Sequence, residues 1–221
     1  MIKLKKIDKT KKEEFPFHDD LGSGELGLVH IYTGDGQGKT TASIGLALRA
    51  TGQGFRVCVI QFLKGGSYTG EFVASKNIKQ LEIHQVGKGC IKSDKQLKLL
   101  EKNGNIVRNS RFCGDCRYCF SIDEEEKQAA TEGMSLAEKK VSSGDYDVII
   151  LDEVFGTIHE GLIELDDLIK LIKGKFAQTE LVLTGRDAPK EIIKLADYVS
   201  VVTKVKHPYD KGIEARRGIE Y

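Results

Sequence analysis

The sequence predicts an α/β fold: a mostly parallel sheet with helices on both faces. Three observations predict it. Short apolar, β-branched runs alternate with helical stretches along most of the chain. One of those runs, Asp147–Leu151 (DVIIL), is almost continuously apolar, as a strand covered on both faces must be. A glycine-rich turn joins the first run to the first helical stretch. At 221 residues the chain is long enough for one such domain with a sizeable core.

In chain order, Leu26–Tyr32 (LGLVHIY) reads as the first strand. Thr40–Thr51 (TTASIGLALRAT) has helical character and ends at Gly52. Phe55–Phe62 (FRVCVIQF) is a second buried strand and Leu81–Gln85 (LEIHQ) a third. After Asp147–Leu151, the stretch Leu162–Ile172 places Leu162, Leu165, Leu168, Ile169 and Ile172 on one face of an amphipathic helix. Glu180–Thr184 is a strand. Pro189 suits a first helical turn and opens a helix to about Ala196. Tyr198–Thr203 (YVSVVT) is the last strand. This defines a domain over residues 26–221, with no internal repeat and no low-complexity segment.

Two regions stand apart. Residues 1–25 begin with Lys3, Lys5, Lys6, Lys9, Lys11 and Lys12, followed by Glu13, Glu14, Phe15, Pro16 and Phe17. They read as an N-terminal arm or lid with an apolar anchor. Residues from about 87 to 120 break the strand–helix rhythm and hold four of the five cysteines, as an insert would.

Charge and composition narrow the partners. Lys plus Arg is 34 and Asp plus Glu is 33, a net charge of +1, so no electrostatic pull toward nucleic acid or an anionic membrane is expected. The 40% apolar and 30% charged content fits neither a disordered chain nor a membrane protein. No run approaches the roughly 20 apolar residues that span a bilayer. The Lys-rich start leads into acids rather than an apolar core, unlike a signal peptide, and Asp8, Glu13 and Glu14 disfavour a mitochondrial presequence. The expected compartment is the cytoplasm, where cysteines point to metal or redox chemistry more than to disulfides.

The turn Thr33-Gly34-Asp35-Gly36-Gln37-Gly38-Lys39-Thr40-Thr41 carries the strongest signal. A loop between strand and helix aims several backbone N–H groups at one point, where the helix dipole favours anions. Glycines let phosphate approach the backbone, Lys39 adds a mobile positive charge and Thr40 offers a hydroxyl to magnesium (Mg²⁺). The usual spacing wants glycine at position 33, where this chain has Thr. The partner motif is Val148-Ile149-Ile150-Leu151-Asp152-Glu153, which sets two carboxylates at the sheet's carboxyl edge. One of them can hold Mg²⁺ directly or through water. Together the two motifs predict an Mg-nucleotide site on a P-loop NTPase-like (RecA-like) sheet.

Four stretches resemble the P-loop class of ATP:corrinoid adenosyltransferases: Tyr32–Thr41 (YTGDGQGKTT), Val59–Lys64 (VIQFLK), Ile150–Glu153 (ILDE), and Leu183–Arg186 (LTGR) running on to Val205–Tyr221 (VKHPYDKGIEARRGIEY). The last is the most specific, because nucleotide binding in general has no use for it. The resemblance implies that cob(I)alamin, or an earlier corrinoid, attacks the 5′ carbon of ATP and that triphosphate leaves. It implies a triphosphate reversed in the loop relative to ordinary P-loop hydrolases, which exposes that carbon. The nucleophile is the substrate's own cobalt, so the protein positions and neutralises charge. On this likeness Gly34, Asp35, Gly36, Gln37, Gly38, Lys39, Thr40, Thr41, Asp152 and Glu153 form the nucleotide site. Thr40 and Glu153 match the contacts to Mg²⁺, or manganese (Mn²⁺) in its place, and Arg186 matches an arginine near the phosphates. Lys39, Thr40, Glu153 and Arg186 are the expected catalytic set. The tail residues Lys206, His207, Arg216 and Arg217 are expected near the corrinoid or phosphate. The likeness also implies a homodimer, an N-terminal lid in which Phe15 and Phe17 take part, and an electron donor such as flavodoxin.

The insert departs from that family. Family members read G-x-G-F-x-W after the third strand, with aromatics on the cobalt's lower face. This chain reads Gly87-Lys88-Gly89-Cys90-Ile91-Lys92 and has no tryptophan. Phe112, Tyr118 or Phe120 are the substitutes at hand. Cys113, Cys116 and Cys119 follow in a C-x₂-C-x₂-C run, and Cys90 is the natural fourth ligand of a zinc (Zn²⁺) or iron–sulfur centre. A cluster would be placed to pass an electron to Co(II); the alternative is a structural staple. Cys58 reads as a core cysteine and His84 as an ordinary strand residue. The rival readings are a thymidine-kinase-type P-loop kinase with a cysteine metal site, a non-catalytic P-loop switch or metal carrier, and a corrinoid chaperone without catalysis.

Overall fold

Six parallel strands frame the computed structural model, which describes residues 26–65, 69–89, 118, 121–213, 215, 216 and 218–220. The elements are β1 (Val29–Thr33), α1 (Lys39–Gly52), β2 (Val57–Phe62), α2 (Gly70–Ser75), β3 (Leu81–Val86), α3 (Glu124–Ser143), β4 (Val148–Asp152), α4 (Val154–His159), α5 (Leu165–Lys173), β5 (Glu180–Thr184), α6 (Lys190–Ile193) and β6 (Tyr198–Val201), then a 3₁₀ turn at Pro208–Lys211. Strand order is β3-β2-β4-β5-β1-β6, with every neighbouring pair parallel. The predicted α/β class holds. One strand, β5, separates β1, which leads into the glycine loop, from β4, which ends in Asp152.

Alternation sorts the strand side chains onto two cores. Val29, Ile31, Cys58, Ile60, Phe62, Ile149, Leu151, Leu181 and Leu183 face α3, α4, α5 and α6. Val57, Val59, Leu81, Ile83, Val148, Ile150 and Val182 face α1 and α2, including Ala47, Ala50 and Phe72. Burial on both faces explains why β2 and β4 are apolar throughout, apart from Gln61 and Asp152 at their carboxyl ends. Cys58 is fully buried, as expected of a core cysteine. His84 lies on β3, with Nε2 2.6 Å from the Glu82 carboxylate.

Local hydrogen bonds set the boundaries that differ from expectation. β1 starts at Val29 rather than Leu26 because Gly27 N and Leu28 N donate to Glu180 Oε2, each at 2.7 Å. β2 starts at Val57 because Phe55 N turns back to Ala50 O at the end of α1. The helix expected from Leu162 starts at Leu165, since Leu162 N and Ile163 N both return to Thr157 O. Pro189 is the residue just before α6, and the turn continues to Ala196 through Leu195 N→Ile192 O and Ala196 N→Ile193 O. β6 ends at Val201.

Helices α2, α3 and α4 were not expected from sequence. The longest, α3, has a thin apolar face built on Ala130, Met134, Ala137 and Val141, which leaves a weak periodic signal. Its ends are clearer. The Asp123 side chain accepts from Glu126 N, three glutamates fill the first turn, and Gly144 stops it at φ 73. Gly133 lets α3 press on the sheet: a Cβ there would lie 2.7 Å from Val86 Cγ2.

The described flanks of the expected insert meet at Lys88. Its buried ammonium donates to Ser121 Oγ and Asp123 Oδ2, each at 2.6 Å, and lies over the Tyr118 ring. Lys88 N donates to Glu126 Oε2. Cys90, Cys113, Cys116 and Cys119 lie outside the described residues, as do residues 1–25, Phe112, Phe120 and Arg217. Among the described residues no helix is long and apolar enough to cross a membrane.

Candidate active site at the carboxyl edge of the sheet

The loop between β1 and α1 is held from outside by the chain that follows β6. Gly36 N donates to Val202 O at 2.7 Å, Val202 N donates to Thr33 O at 2.8 Å, and Lys204 N donates to Asp35 Oδ1 at 3.0 Å. The last bond holds the Asp35 carboxyl below its ordinary range. A Cβ on Gly34 would sit 2.4 Å from Val202 O, so only glycine permits this approach. Gly38 is different: at φ 117 it opens α1, with nothing within 4 Å of where a Cβ would stand. That open space, at a helix N-terminus, is where an anion fits. Thr33, at the position where the common spacing has glycine, has its own task. Its hydroxyl accepts from Ala188 N at 3.0 Å, tying the loop to the turn after β5.

Lys39 is buried, and its Nζ donates to Gly34 O at 2.8 Å and Gly36 O at 2.9 Å. Burial lowers its pKa, against the pull of Glu153. Gln37 and Thr41 are exposed on the rim.

Asp152 closes β4 with no solvent exposure, and its two oxygens accept four bonds. Oδ1 accepts from Thr40 Oγ1 at 2.8 Å and Thr184 Oγ1 at 2.7 Å. Oδ2 accepts from Lys64 Nζ at 2.7 Å and Gln61 Nε2 at 3.2 Å. Burial alone would raise its pKa, but the Lys64 charge and these bonds outweigh it and hold the carboxyl below its ordinary value. Its acceptor capacity is filled.

Glu153 is the contrast. It sits in the left-handed region at φ 59, and its N–H donates to Thr184 Oγ1 at 3.0 Å. Burial first, then the Asp152 charge, push its carboxyl up, against Lys64, Lys39 and Arg186. Among the described residues no donor reaches its carboxylate. Thr40 donates its own proton to Asp152, which leaves its lone pairs free. The hard oxygen donors open at this edge are therefore Thr40 and Glu153, a pair that suits Mg²⁺.

Arg186 is exposed just beyond β5, and its charge is felt at Lys39, Asp35 and Glu153. Thus Lys39, Thr40, Asp152, Glu153 and Arg186 converge. The tail is only partly placed: Val202–Lys204 braces the loop, while Arg216 forms an ion pair with Glu220 at 2.8 Å. Sequence reasoning gave no role to Gln61, Lys64 or Thr184. The available signal was a glutamine inside an otherwise apolar strand, with a lysine three residues on.

A second polar cluster lies near the opposite, amino-terminal ends of β2 and β3. Cys58, Glu82 and His84 place ligand atoms within 4.8 Å of one another. However, Lys140 and Tyr146 already donate to Glu82, and burial pushes the Cys58 thiol up to about 12. A thiol held protonated beside an occupied carboxylate makes a closed network, not a set of metal ligands.

Comparison with known proteins agrees with the geometry. The family described as ATP:corrinoid adenosyltransferase BtuR/CobO/CobP matches residues 25–221. A corrinoid adenosyltransferase of Escherichia coli (strain K12) is 29% identical over 89% of this chain and 87% of its own. One from Pseudomonas aeruginosa is 27% identical over 89% and 85%. The corrinoid adenosyltransferase CobA of Salmonella typhimurium is 29% identical over 89% and 87%.

Proposed function

The chain belongs to the ATP:corrinoid adenosyltransferase family, and from that premise we propose how its residues share the work of the reaction. The enzyme transfers the adenosyl group of ATP to a corrinoid. A cobalt–carbon bond forms at C5′, the C5′–O bond breaks, and triphosphate carries away the electron pair. No protein nucleophile is needed. What is needed is a fixed triphosphate, compensation of its growing charge, and an accessible C5′.

The single observation that carries this reading is the convergence of the strap-held glycine loop with Asp152 and Glu153. Gly34 through Thr41 cradle the triphosphate, and Lys39 leaves its two loop carbonyls to meet it. Arg186, exposed and in electrostatic reach of Lys39, adds positive charge from the rim. Thr40 and Glu153 hold Mg²⁺, or Mn²⁺ in its place, which supplies further charge to the leaving group. The filled acceptor positions of Asp152 support this division. Cob(I)alamin or a corrinoid precursor is the second substrate, reduced by a donor such as flavodoxin. Residues 1–25 act as the lid of a homodimer. Cys90, Cys113, Cys116 and Cys119 hold zinc or an iron–sulfur cluster; their spacing supports this, and metal analysis with a visible spectrum of anaerobically purified protein separates the two.

The test is anaerobic. MgATP and chemically reduced cob(I)alamin should yield light-sensitive adenosylcobalamin and triphosphate together. Lys39→Ala should cut transfer by about 10²–10³-fold, the scale of losing one preorganised donor, with little change in melting temperature. ADP and phosphate with an unchanged corrinoid would favour the P-loop switch instead.

A further inference from the structure

We infer that Lys64 is a positioning residue: it holds the Asp152 carboxylate in the one orientation that turns the lone pairs of Thr40 toward the metal. The inference rests on the reading above, in which Thr40 and Glu153 receive Mg²⁺.

The geometry runs through three groups. Lys64 follows Leu63, whose φ of 57 bends the chain sharply after β2. The bend returns Nζ to 2.7 Å from Asp152 Oδ2, under a carboxylate that is itself fully buried. With Oδ2 fixed by Lys64, Oδ1 faces Thr40 and Thr184 at 2.8 and 2.7 Å. An anionic oxygen can only accept, so the Thr40 hydroxyl must donate inward, and its lone pairs face the open side. Without Lys64, Oδ2 keeps only Gln61 at 3.2 Å. A buried carboxylate short of its counter-charge is destabilised and no longer held in one orientation. Oδ1 then no longer holds the Thr40 proton inward, and the lone pairs of Thr40 no longer face the metal position. Lys64 therefore acts through Asp152 and Thr40, and needs no contact with ATP.

The test is calorimetric ATP binding, with Mg²⁺ and with EDTA, on the full chain and on Lys64→Met, Lys64→Arg, Asp152→Asn and the pair K64M/D152N. Lys64→Met should weaken binding in Mg²⁺ by roughly tenfold or more, the scale seen when a partner behind a metal ligand is lost. Binding in EDTA and the KM for corrinoid should stay within about twofold, while Lys64→Arg restores the Mg²⁺-dependent part. In the pair, loss of Lys64 should cost nothing beyond Asp152→Asn alone. If Lys64→Met fails to fold, the pair, which removes both charges, gives the answer. Equal losses in Mg²⁺ and EDTA, a loss confined to corrinoid KM, or an added cost in the pair would each overturn the inference. Thr40→Val and Glu153→Gln separate the two levels. If both keep Mg²⁺-dependent binding, the site reading has failed; if both lose it and Lys64→Met does not, only the role of Lys64 has failed.

Discussion

Asp152 and Glu153 are adjacent carboxylates with opposite surroundings, and the difference predicts a trade between stability and activity. Asp152 is saturated by four donors and held ionised. Glu153 is pushed up by burial and by Asp152, so ionising it costs folding free energy. A group whose pKa is raised on folding gives its full stability below the unfolded value, near pH 4, and loses it as pH rises through the folded one. Glu153→Gln should therefore match the wild type in melting temperature at low pH and exceed it at pH 7. The gain should grow as pH rises above the unfolded value, while Mg²⁺-dependent transfer falls. Thermal melts across pH check the first part; no gain at neutral pH would mean that bound cations already compensate the charge. The carboxylate pair was legible in sequence because a strand ending in two acids has few other uses. Which acid is occupied was not legible, because Lys64 and Thr184 reach Asp152 across strands that are distant in the chain.

At the scale of elements, the strands were legible and the helices only in part. Four apolar residues in a row leave little choice in a sheet covered on both faces, as in β4. Helix α3 shows the opposite case, since its buried face is thin, with two alanines and one glycine beside Met134 and Val141. Gly133 is the sharpest example. By helix propensity alone, alanine would be better there by up to about 1 kcal/mol. The space forbids it: a Cβ would meet Val86 Cγ2 at 2.7 Å and Phe62 Cε1 at 2.9 Å. Gly133→Ala should thus destabilise the protein by about 1–3 kcal/mol, the usual cost of overpacking. Gly45, exposed in α1 with nothing within 4 Å, should instead gain up to about 1 kcal/mol as alanine. Urea titration of both variants checks the pair; two changes of the same sign would show that propensity, not packing, governs α3.

For the whole molecule, the end of the chain braces its beginning. Val202 and Lys204 take three hydrogen bonds with the loop at Thr33–Gly36, yet neither residue belongs to the two cores. A chain cut after Val201 should keep a near-native melting temperature and lose transfer on the order of 10²-fold, as misplaced catalytic groups do. Full activity of that truncation would show the loop to be self-supporting. The tail's pattern was readable as a family signature, but its service to the loop was not, because that contact joins opposite ends of the sequence. The strand order has a consequence for biosynthesis. Among the described strands β1 pairs only with β5 and β6, and His30 lies 150 residues before its partner Glu180. A ribosome adding ~5–20 residues per second leaves β1 without a neighbour for on the order of 10–30 s. During that interval the nascent chain carries an apolar, unpaired strand and an unbraced glycine loop, so the polypeptide must be nearly complete before it first grips a nucleotide.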